Sequence, residues 1–247
     1  MDSRLSFLSG VLAVFAAVMG LHGACPAAPS VSWGSYLGGS EAEFSGGVAV
    51  DGAGNVYVVG STLSDGWVSG SLDNSLATPE YDGFAVKLNA SGGHVWSTYL
   101  GDSGSDGCAG VAVDAGGNVF ITGTTGSPWF GGGGAWMPTD PGPGSDGFVI
   151  KLDTAGAQLW STYLGGTSTD EGTGLVLDAS GNVYATGSTA SAGWVSGGWD
   201  TQHSGGDDAY LVKLSASGGH EWSTYLGGTN SEVGYGLAVD ASGNVFV

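Results

Sequence analysis

A seven-residue segment, WSTYLGG, recurs along this chain at nearly constant spacing. It begins at Trp96, Trp160 and Trp222, and a related copy, WGSYLGG, begins at Trp33. A second segment of the form DxxGNV keeps the same step, with its copies starting at Asp51, Asp114, Asp178 and Asp240. Because two independent markers recur in one register, a whole structural unit must repeat, and the fold has to be inferred from that unit.

One unit contains four short segments with strand-like composition, at residues 47–50, 55–60, 82–88 and 94–100. The first two are joined by Asp51 to Asn55, whose Asp, Gly and Asn residues are typical of a hairpin turn. Residues 89–93 form a second turn of this kind, whereas about twenty variable residues separate the second segment from the third. The unit is therefore predicted to be four antiparallel strands in up-and-down order.

Beyond the first thirty residues, no stretch shows ten residues of helical periodicity, so we predict an all-β protein. A repeated four-stranded antiparallel unit is typical of a β-propeller blade, and a parallel β-solenoid is the main alternative. The sequence predicts about three and a half blades: a lone outer strand at 31–37, blades at 46–101, 109–165 and 173–227, and a partial blade at 235–247.

The combined pattern resembles the bacterial seven-bladed β-propeller repeat family. The resemblance rests on WSTYLGG, the GNV[YF] turn and the D[GA][FY]x[VI]KL segment, and it covers nearly all of residues 31–247. It implies a propeller in a secreted or surface protein and implies no particular reaction. Because seven such blades would need roughly 440 residues, and closure takes about four to eight blades, we expect this chain to be part of a longer protein.

Residues 1–30 have the composition of a secretory signal peptide. Arg4 precedes an apolar run at residues 7–21, which is short for a membrane span, and small residues follow. An uncleaved anchor is the alternative, and Cys25 gives a loose match to a lipoprotein cleavage site. We therefore expect export, to the cell surface, the extracellular space or the periplasm, with lipid anchoring at Cys25 as a variant.

The chain is strongly acidic, with 23 Asp and Glu against four Lys and Arg and a formal net charge of −19. Such a surface repels polyphosphates and anionic lipid headgroups, so nucleic-acid binding is excluded. Outside the leader there is one cysteine, Cys108, and small residues stand at the equivalent positions of the other repeats. We therefore interpret Cys108 as a packing residue and not as a nucleophile or half of a disulfide.

An acidic residue stands four positions before a constant glycine in every repeat. If these four side chains lay around the channel mouth, they could bind calcium, which prefers several oxygen ligands. The alternative is that each carboxylate accepts backbone N–H groups at a blade junction. The predicted calcium ligands are Glu43, Asp106, Asp170 and Glu232.

Two further columns, meaning sets of residues at equivalent positions of the repeats, are interpreted as structural. Each repeated Trp is followed three residues later by a Tyr, and we expect these rings to pack between neighbouring blades. The lysines occur once per repeat on a segment that begins with Asp, and we expect each to pair with a carboxylate of its own or an adjacent blade. The segments concerned begin at Asp82, Asp146 and Asp208 and carry Lys87, Lys151 and Lys213.

The long loops between the second and third strands vary most, and variable loops on a rigid scaffold commonly carry binding specificity. Trp67 and Trp194 share a GWVSG setting and are interpreted as structural. Three other tryptophans break the repeat and are predicted to form a contact surface: Trp129, Trp136 and Trp199.

We therefore predict a non-catalytic secreted or surface scaffold that binds a protein or glycan, with no cofactor apart from the calcium already considered. Two alternatives stay open. In one, the chain is part of an extracellular enzyme that acts on polysaccharides or depends on a quinone, and the active site lies in another part of the protein. Such sites commonly use arginine or histidine, and no arginine follows the leader. The other is a purely structural spacer.

Overall fold

Sixteen β-strands and no α-helix make up the part of the chain that the structure, a computed structural model, describes. That part comprises residues 12–15, 31–70, 72–76, 80–128 and 136–247. The proposed leader lies outside it except for the backbone of 12–15, and so do Cys25 and Trp129. Within it, no helix is long and apolar enough to cross a membrane.

Twelve of the strands form three four-stranded antiparallel sheets, each with its strands in chain order. The first blade consists of β3 (Glu43–Val50), β4 (Val56–Thr62), β5 (Asp82–Leu88) and β6 (His94–Leu100). The second consists of β7 (Asp106–Val113), β8 (Val119–Thr125), β9 (Asp146–Leu152) and β10 (Gln158–Leu164). The third consists of β11 (Asp170–Leu177), β12 (Val183–Thr189), β13 (Asp208–Leu214) and β14 (His220–Leu226). The prediction of four-stranded antiparallel blades is confirmed.

Two short pairs flank the three blades. At one end β1 (Leu12–Phe15) pairs antiparallel with β2 (Gly34–Leu37), which carries the first copy of the repeated segment. At the other end β15 (Ala238–Val239) pairs with β16 (Val245–Phe246). The sheets stand side by side through their first strands β3, β7 and β11, and the ring is not closed.

The first hairpin of each blade is fixed by its aspartate. The carboxylate of Asp51 accepts the backbone N–H groups of Ala53 and Asn55 at 2.9 Å and the Asn55 side-chain amide at 2.7 Å. Gly54 has a φ of 82°, in the left-handed region that glycine adopts without strain. The same bonds recur at Asp114, Asp178 and Asp240, which explains why DxxGN repeats without change.

The apolar cores lie between the blades. One cluster joins Tyr57 and Trp96 of the first blade to Ile121 and Phe148 of the second. A second cluster joins the second blade to the third. The tryptophans also bond across the junction, since Trp96 Nε1 donates to the carbonyl oxygen of Thr154 at 3.1 Å. Trp33 and Trp160 make the equivalent bonds to Ala90 and Ala216. The predicted packing role is confirmed for the tryptophans at these junctions, whereas Tyr36 of the tyrosine column is 76 % exposed.

The lysines behave differently from the prediction. Lys87 donates to the carbonyl oxygen of Thr154 and Lys151 to that of Ala216, each on the hairpin of the next blade. Each also lies over an aromatic ring of its own sheet. Only Lys213 forms an ion pair within the described residues, at 2.9 Å from Glu221. An ion pair with a carboxylate is therefore found for Lys213 and not for Lys87 or Lys151, although the charge of Lys151 helps to lower the pKa of Asp114 on its own blade.

The long loop of each blade returns along its outermost strand. Residues 70 and 197 form parallel bridges with Ser97 and Ser223, and Tyr163 donates its N–H to the carbonyl oxygen of Met137. These short segments cover the edge strand, which would otherwise offer unpaired backbone groups to another chain.

The buried Trp column is expected to dominate blade packing. Trp160 is 4 % exposed, whereas its neighbour Leu159 is 46 % exposed. We expect Trp160→Ala to lower the free energy of unfolding by about 3–5 kcal/mol because it removes a large buried ring. Leu159→Ala should cost less than about 1 kcal/mol. Urea denaturation followed by circular dichroism measures both, and equal losses would contradict an inter-blade core.

Candidate functional site

The predicted acidic column lies at the blade junctions. Glu43, Asp106 and Asp170 begin the first strands of their blades, whereas Glu232 lies between β14 and β15. Asp170 is fully buried and accepts hydrogen bonds from Thr189 Oγ1, from Ser191 Oγ at 2.7 Å and from the N–H of Gly166 at 2.7 Å. All three donors are neutral. The carboxylate thus ties together the end of the preceding blade, the end of β12 and the start of the long loop.

Asp106 is held in the same way at the preceding junction. Its donors are Thr125 Oγ1 at 2.5 Å, Ser127 Oγ at 2.6 Å and the N–H groups of Gly126 and Asp102. The two glutamates of the column keep part of the pattern. Glu43 accepts from Thr62 Oγ1 at 3.0 Å, and Glu232 accepts from the N–H of Gly228 at 2.9 Å.

A second column of buried acids approaches these junctions from the preceding blade. Its members are the aspartates that begin the third strands: Asp82, Asp146 and Asp208, exposed by 0 %, 2 % and 0 %. The backbone brings the two columns together, because the N–H of Asp170 donates to the carbonyl oxygen of Ser145 at 2.7 Å. The residue that follows Ser145 is Asp146, so its carboxyl group lies close to that of Asp170.

At two junctions the oxygens of both acids converge beside the first glycine of YLGG. A Cβ atom on Gly165 would overlap both Asp146 Oδ1 and Asp170 Oδ2. A Cβ atom on Gly227 would likewise overlap Asp208 Oδ1 and Glu232 Oε2. We call Asp146 with Asp170, and Asp208 with Glu232, the carboxylate pairs. At these two junctions the close approach leaves no space for a side chain at the glycine.

The electrostatics of the first carboxylate pair follow from this geometry. Burial, together with the negative charges of Asp170 and Asp140, raises the pKa of Asp146 to about 8. Burial also raises the pKa of Asp106, although hydrogen bonds from Ser127 and Thr125 oppose the change. Asp146 and Asp106 are therefore protonated more readily than the turn aspartates, whose pKa values are lowered.

The predicted calcium ligands do not converge on one another. Each lies at a separate junction, and no three Asp, Glu, His or Cys side chains among the described residues are grouped so that they could hold a metal ion. A shared ring of Glu43, Asp106, Asp170 and Glu232 at the channel mouth is therefore not what the geometry presents. Calcium binding itself stays a prediction.

Two of the three predicted contact tryptophans can be placed. Trp199 is 89 % exposed. Trp136 is half-buried and stacks on the His220 ring with centroids 4.0 Å apart. Its backbone N–H donates to the carbonyl oxygen of Gly218 in the third blade. The structure therefore gives these two residues different surroundings.

Their positions are nevertheless equivalent. Tyr163 bonds to the residue after Trp136, just as Tyr225 bonds to Asp200, the residue after Trp199. Leu72 takes the same place in the first blade and packs against the first inter-blade core. The long loops therefore repeat in structure, although their sequences differ.

The remaining candidates are structural in their contacts. Trp67 and Trp194 bond to Thr62 and Thr189 and pack edge-on against the rings of the third strands, as predicted. Cys108 is buried in the first inter-blade core, and burial raises the pKa of its thiol. His94 and His220 each contact a serine of the same strand.

The blade topology and the repeated junction define this chain as a β-propeller repeat protein. A family model described as a beta-propeller repeat matches residues 32–66, 95–128, 159–193 and 221–247, together more than half of the chain. The chain belongs to that family. No curated protein matches it. The count of seven blades and a bacterial source stay predictions.

Sequence analysis missed that the two acidic columns face each other. It assigned Asp146 and its equivalents to the lysines because they share a strand. A usable signal was present, since a threonine and a serine recur in register at the end of every second strand. These residues are Thr62, Thr125 and Thr189 with Ser64, Ser127 and Ser191.

The glycine beside the first carboxylate pair offers a direct test of this geometry. Gly165→Ala is expected to lower the free energy of unfolding by about 1–3 kcal/mol, because the new methyl group must displace both carboxylates. Gly52→Ala is the control, since nothing lies within 4 Å of its Cβ position, and it should change stability by less than about 1 kcal/mol. Urea titrations compare the two, and a tolerated alanine at 165 would refute the close approach.

The lowered pKa values of the turn aspartates predict how the free energy of unfolding depends on pH. Burial raises the pKa of Asp178, but hydrogen bonds from Asn182 and Ser180 outweigh it and lower the pKa below its ordinary value. Because the folded pKa is depressed, the stabilisation is present above the unfolded pKa of about 4 and is lost as the pH falls through the folded pKa.

We therefore expect Asp178→Asn to be less stable than the wild type at pH 6, with the difference shrinking below about pH 4. Urea midpoints at several pH values measure this. The control is Glu41→Gln, which removes an exposed charge whose side chain caps no turn. A difference that stays constant with pH would contradict the capping role.

Proposed function

We propose that this chain is a non-catalytic binding scaffold of a secreted or cell-surface protein. The observation that carries the proposal is Trp199, which is 89 % exposed on a loop held against the third blade. The backbone N–H of the next residue, Asp200, donates to Thr224 Oγ1 at 2.9 Å, so a sheet fixes the position of the ring. An exposed aromatic ring on a rigid support is suited to contact with a partner.

The repeated polar groups support a scaffold over an enzyme. The buried acids are bonded at the junctions, two of the lysines bond to hairpin carbonyl oxygens, and each turn aspartate caps its own turn. These groups maintain the blades in every repeat. The proposed contact surface is therefore the long-loop segment around Trp199. At the equivalent position of the second blade, Trp136 stacks on His220 of the third blade.

The net negative charge of the chain limits the classes of partner that it could bind. With a formal net charge of −19, the chain repels polyanions. The proposed partner is a protein or a neutral glycan with an apolar face that can stack on the tryptophan ring. The proposed location is extracellular or at the cell surface, in agreement with the leader-like composition of residues 1–30.

The experiment is a glycan array together with affinity capture from envelope and extracellular fractions. Trp199→Ala is expected to weaken any binding at least tenfold, because an exposed aromatic anchor commonly contributes about 2 kcal/mol or more. Leu159→Ala is the control, since it removes a partly exposed apolar side chain from the second blade. Equal binding by both variants, or turnover of a polysaccharide without binding, would contradict the proposal.

A further inference from the structure

The carboxylate pairs place two acids in a largely buried setting without a positive side chain. Lys213 forms the one ion pair found among the described residues, and its partner is Glu221 on β14. At the pair formed by Asp146 and Asp170, the hydrogen-bond donors are neutral hydroxyl and N–H groups. Two buried carboxyl groups this close together are costly to ionise at the same time unless a positive charge compensates them.

Orphaned oxygens mark both pairs. Asp146 Oδ1 and Asp208 Oδ1 are buried and accept no N–H or O–H group from the described residues. Each faces an oxygen of its partner acid beside Gly165 or Gly227. The Tyr210 hydroxyl is also buried without a hydrogen-bond partner among those residues, and it lies beside Gly147, the residue after Asp146. Such groups are rare in folded proteins and indicate an additional partner.

The atoms available at the carboxylate pairs are all oxygens, and this indicates which kind of ion could bind there. Carboxylate and hydroxyl oxygens without nitrogen or sulfur ligands suit calcium, which takes six to eight oxygens in flexible geometry. At the first pair, Asp146 and Asp170 supply up to four carboxylate oxygens, and Thr189 and Ser191 bring hydroxyl oxygens to the same place. Two carboxylates also match the charge of a divalent cation.

We propose that calcium binds at two blade junctions, between Asp146 and Asp170 and between Asp208 and Glu232. At the first site the cation joins the third strand of the second blade to the first strand of the third blade. At the second site it joins β13 to the segment between β14 and β15. It thereby stabilises the stacking of blades, a role that is independent of the proposed partner-binding function. The site differs from the predicted ring because each ligand set combines the two acidic columns across a junction.

The junction between the first and second blades is not included. There the three atoms nearest the Cβ position of the equivalent glycine, Gly101, all belong to Asp106. The two acids therefore do not converge beside this glycine as they do at the other two junctions. The proposal rests on the two junctions where both acid oxygens overlap the Cβ position of glycine.

The test uses the full chain, first freed of cations with EDTA and then titrated with calcium chloride. Isothermal titration calorimetry is expected to report two sites per chain, with dissociation constants in the range of about 10⁻⁴–10⁻³ M that is typical of extracellular calcium modules. The thermal unfolding midpoint is expected to rise with calcium and to return when EDTA is added.

Asp146→Asn should remove one of the two sites and about half of the calcium-dependent gain in melting temperature. The amide that this substitution introduces can donate an N–H to Asp170, so the variant should still fold in EDTA. Glu41→Gln is the matched control, because it removes the same charge from an exposed side chain and should retain both sites. Asp208→Asn provides the same test at the other junction if Asp146→Asn does not fold.

Three results would overturn the proposal. One is no binding heat and no thermal shift at about 10 mM calcium, well above the range for such modules. Another is that Asp146→Asn and Glu41→Gln reduce the calcium-dependent gain in melting temperature equally, which would indicate that calcium only screens the negative surface charge. The third is full calcium binding by both junction variants. Failure of partner binding by Trp199→Ala would leave this proposal unaffected.

Discussion

Each blade depends on burial against its neighbours, because a sheet with apolar side chains on both faces cannot be stable alone. The inner strands show this constraint directly. Leu175 on β11 packs against the second blade and is 8 % exposed, whereas the equivalent Val48 on β3 is 60 % exposed. The same register position is thus core or surface according to whether another blade precedes it. The spacing of the repeat and its rings follows from this requirement.

The junctions combine this apolar packing with directed polar contacts. A tryptophan and a lysine from one blade reach carbonyl oxygens on the second hairpin of the next, so the hairpin turn of one repeat serves the core of another. A buried acid then ties the other end of the junction to a threonine and a serine. Packing alone would allow neighbouring blades to slide, whereas these bonds fix their register. Lys213, which has no following hairpin of this kind among the described residues, bonds to Glu221 instead.

Much of the fold was predictable because the residues that define it repeat. The DxxGN turns, the outer position of WSTYLGG and the order of the strands are local features, and each has one physical explanation that the structure confirms. The candidate site was less predictable. The pairing of Asp146 with Asp170 joins residues from different blades, and a sequence read one strand at a time favours the nearer Lys151. Likewise, Trp136 and Trp199 appear unrelated in sequence, because loops of different length return to the same edge of their blades.

The glycine after Tyr-Leu shows how such long-range contacts still leave a local trace. The repeat does not require Gly165 for a hairpin turn, since the residue lies at the end of an outer strand. At Gly165 two carboxylates from different blades leave no space for a side chain, and at Gly38 and Gly101 the acid of the first column takes up this space. A repeated glycine outside any turn is therefore evidence for a close contact. At Gly165 and Gly227 the glycine lies where the two acidic columns meet, a contact that the sequence of neither column indicates by itself.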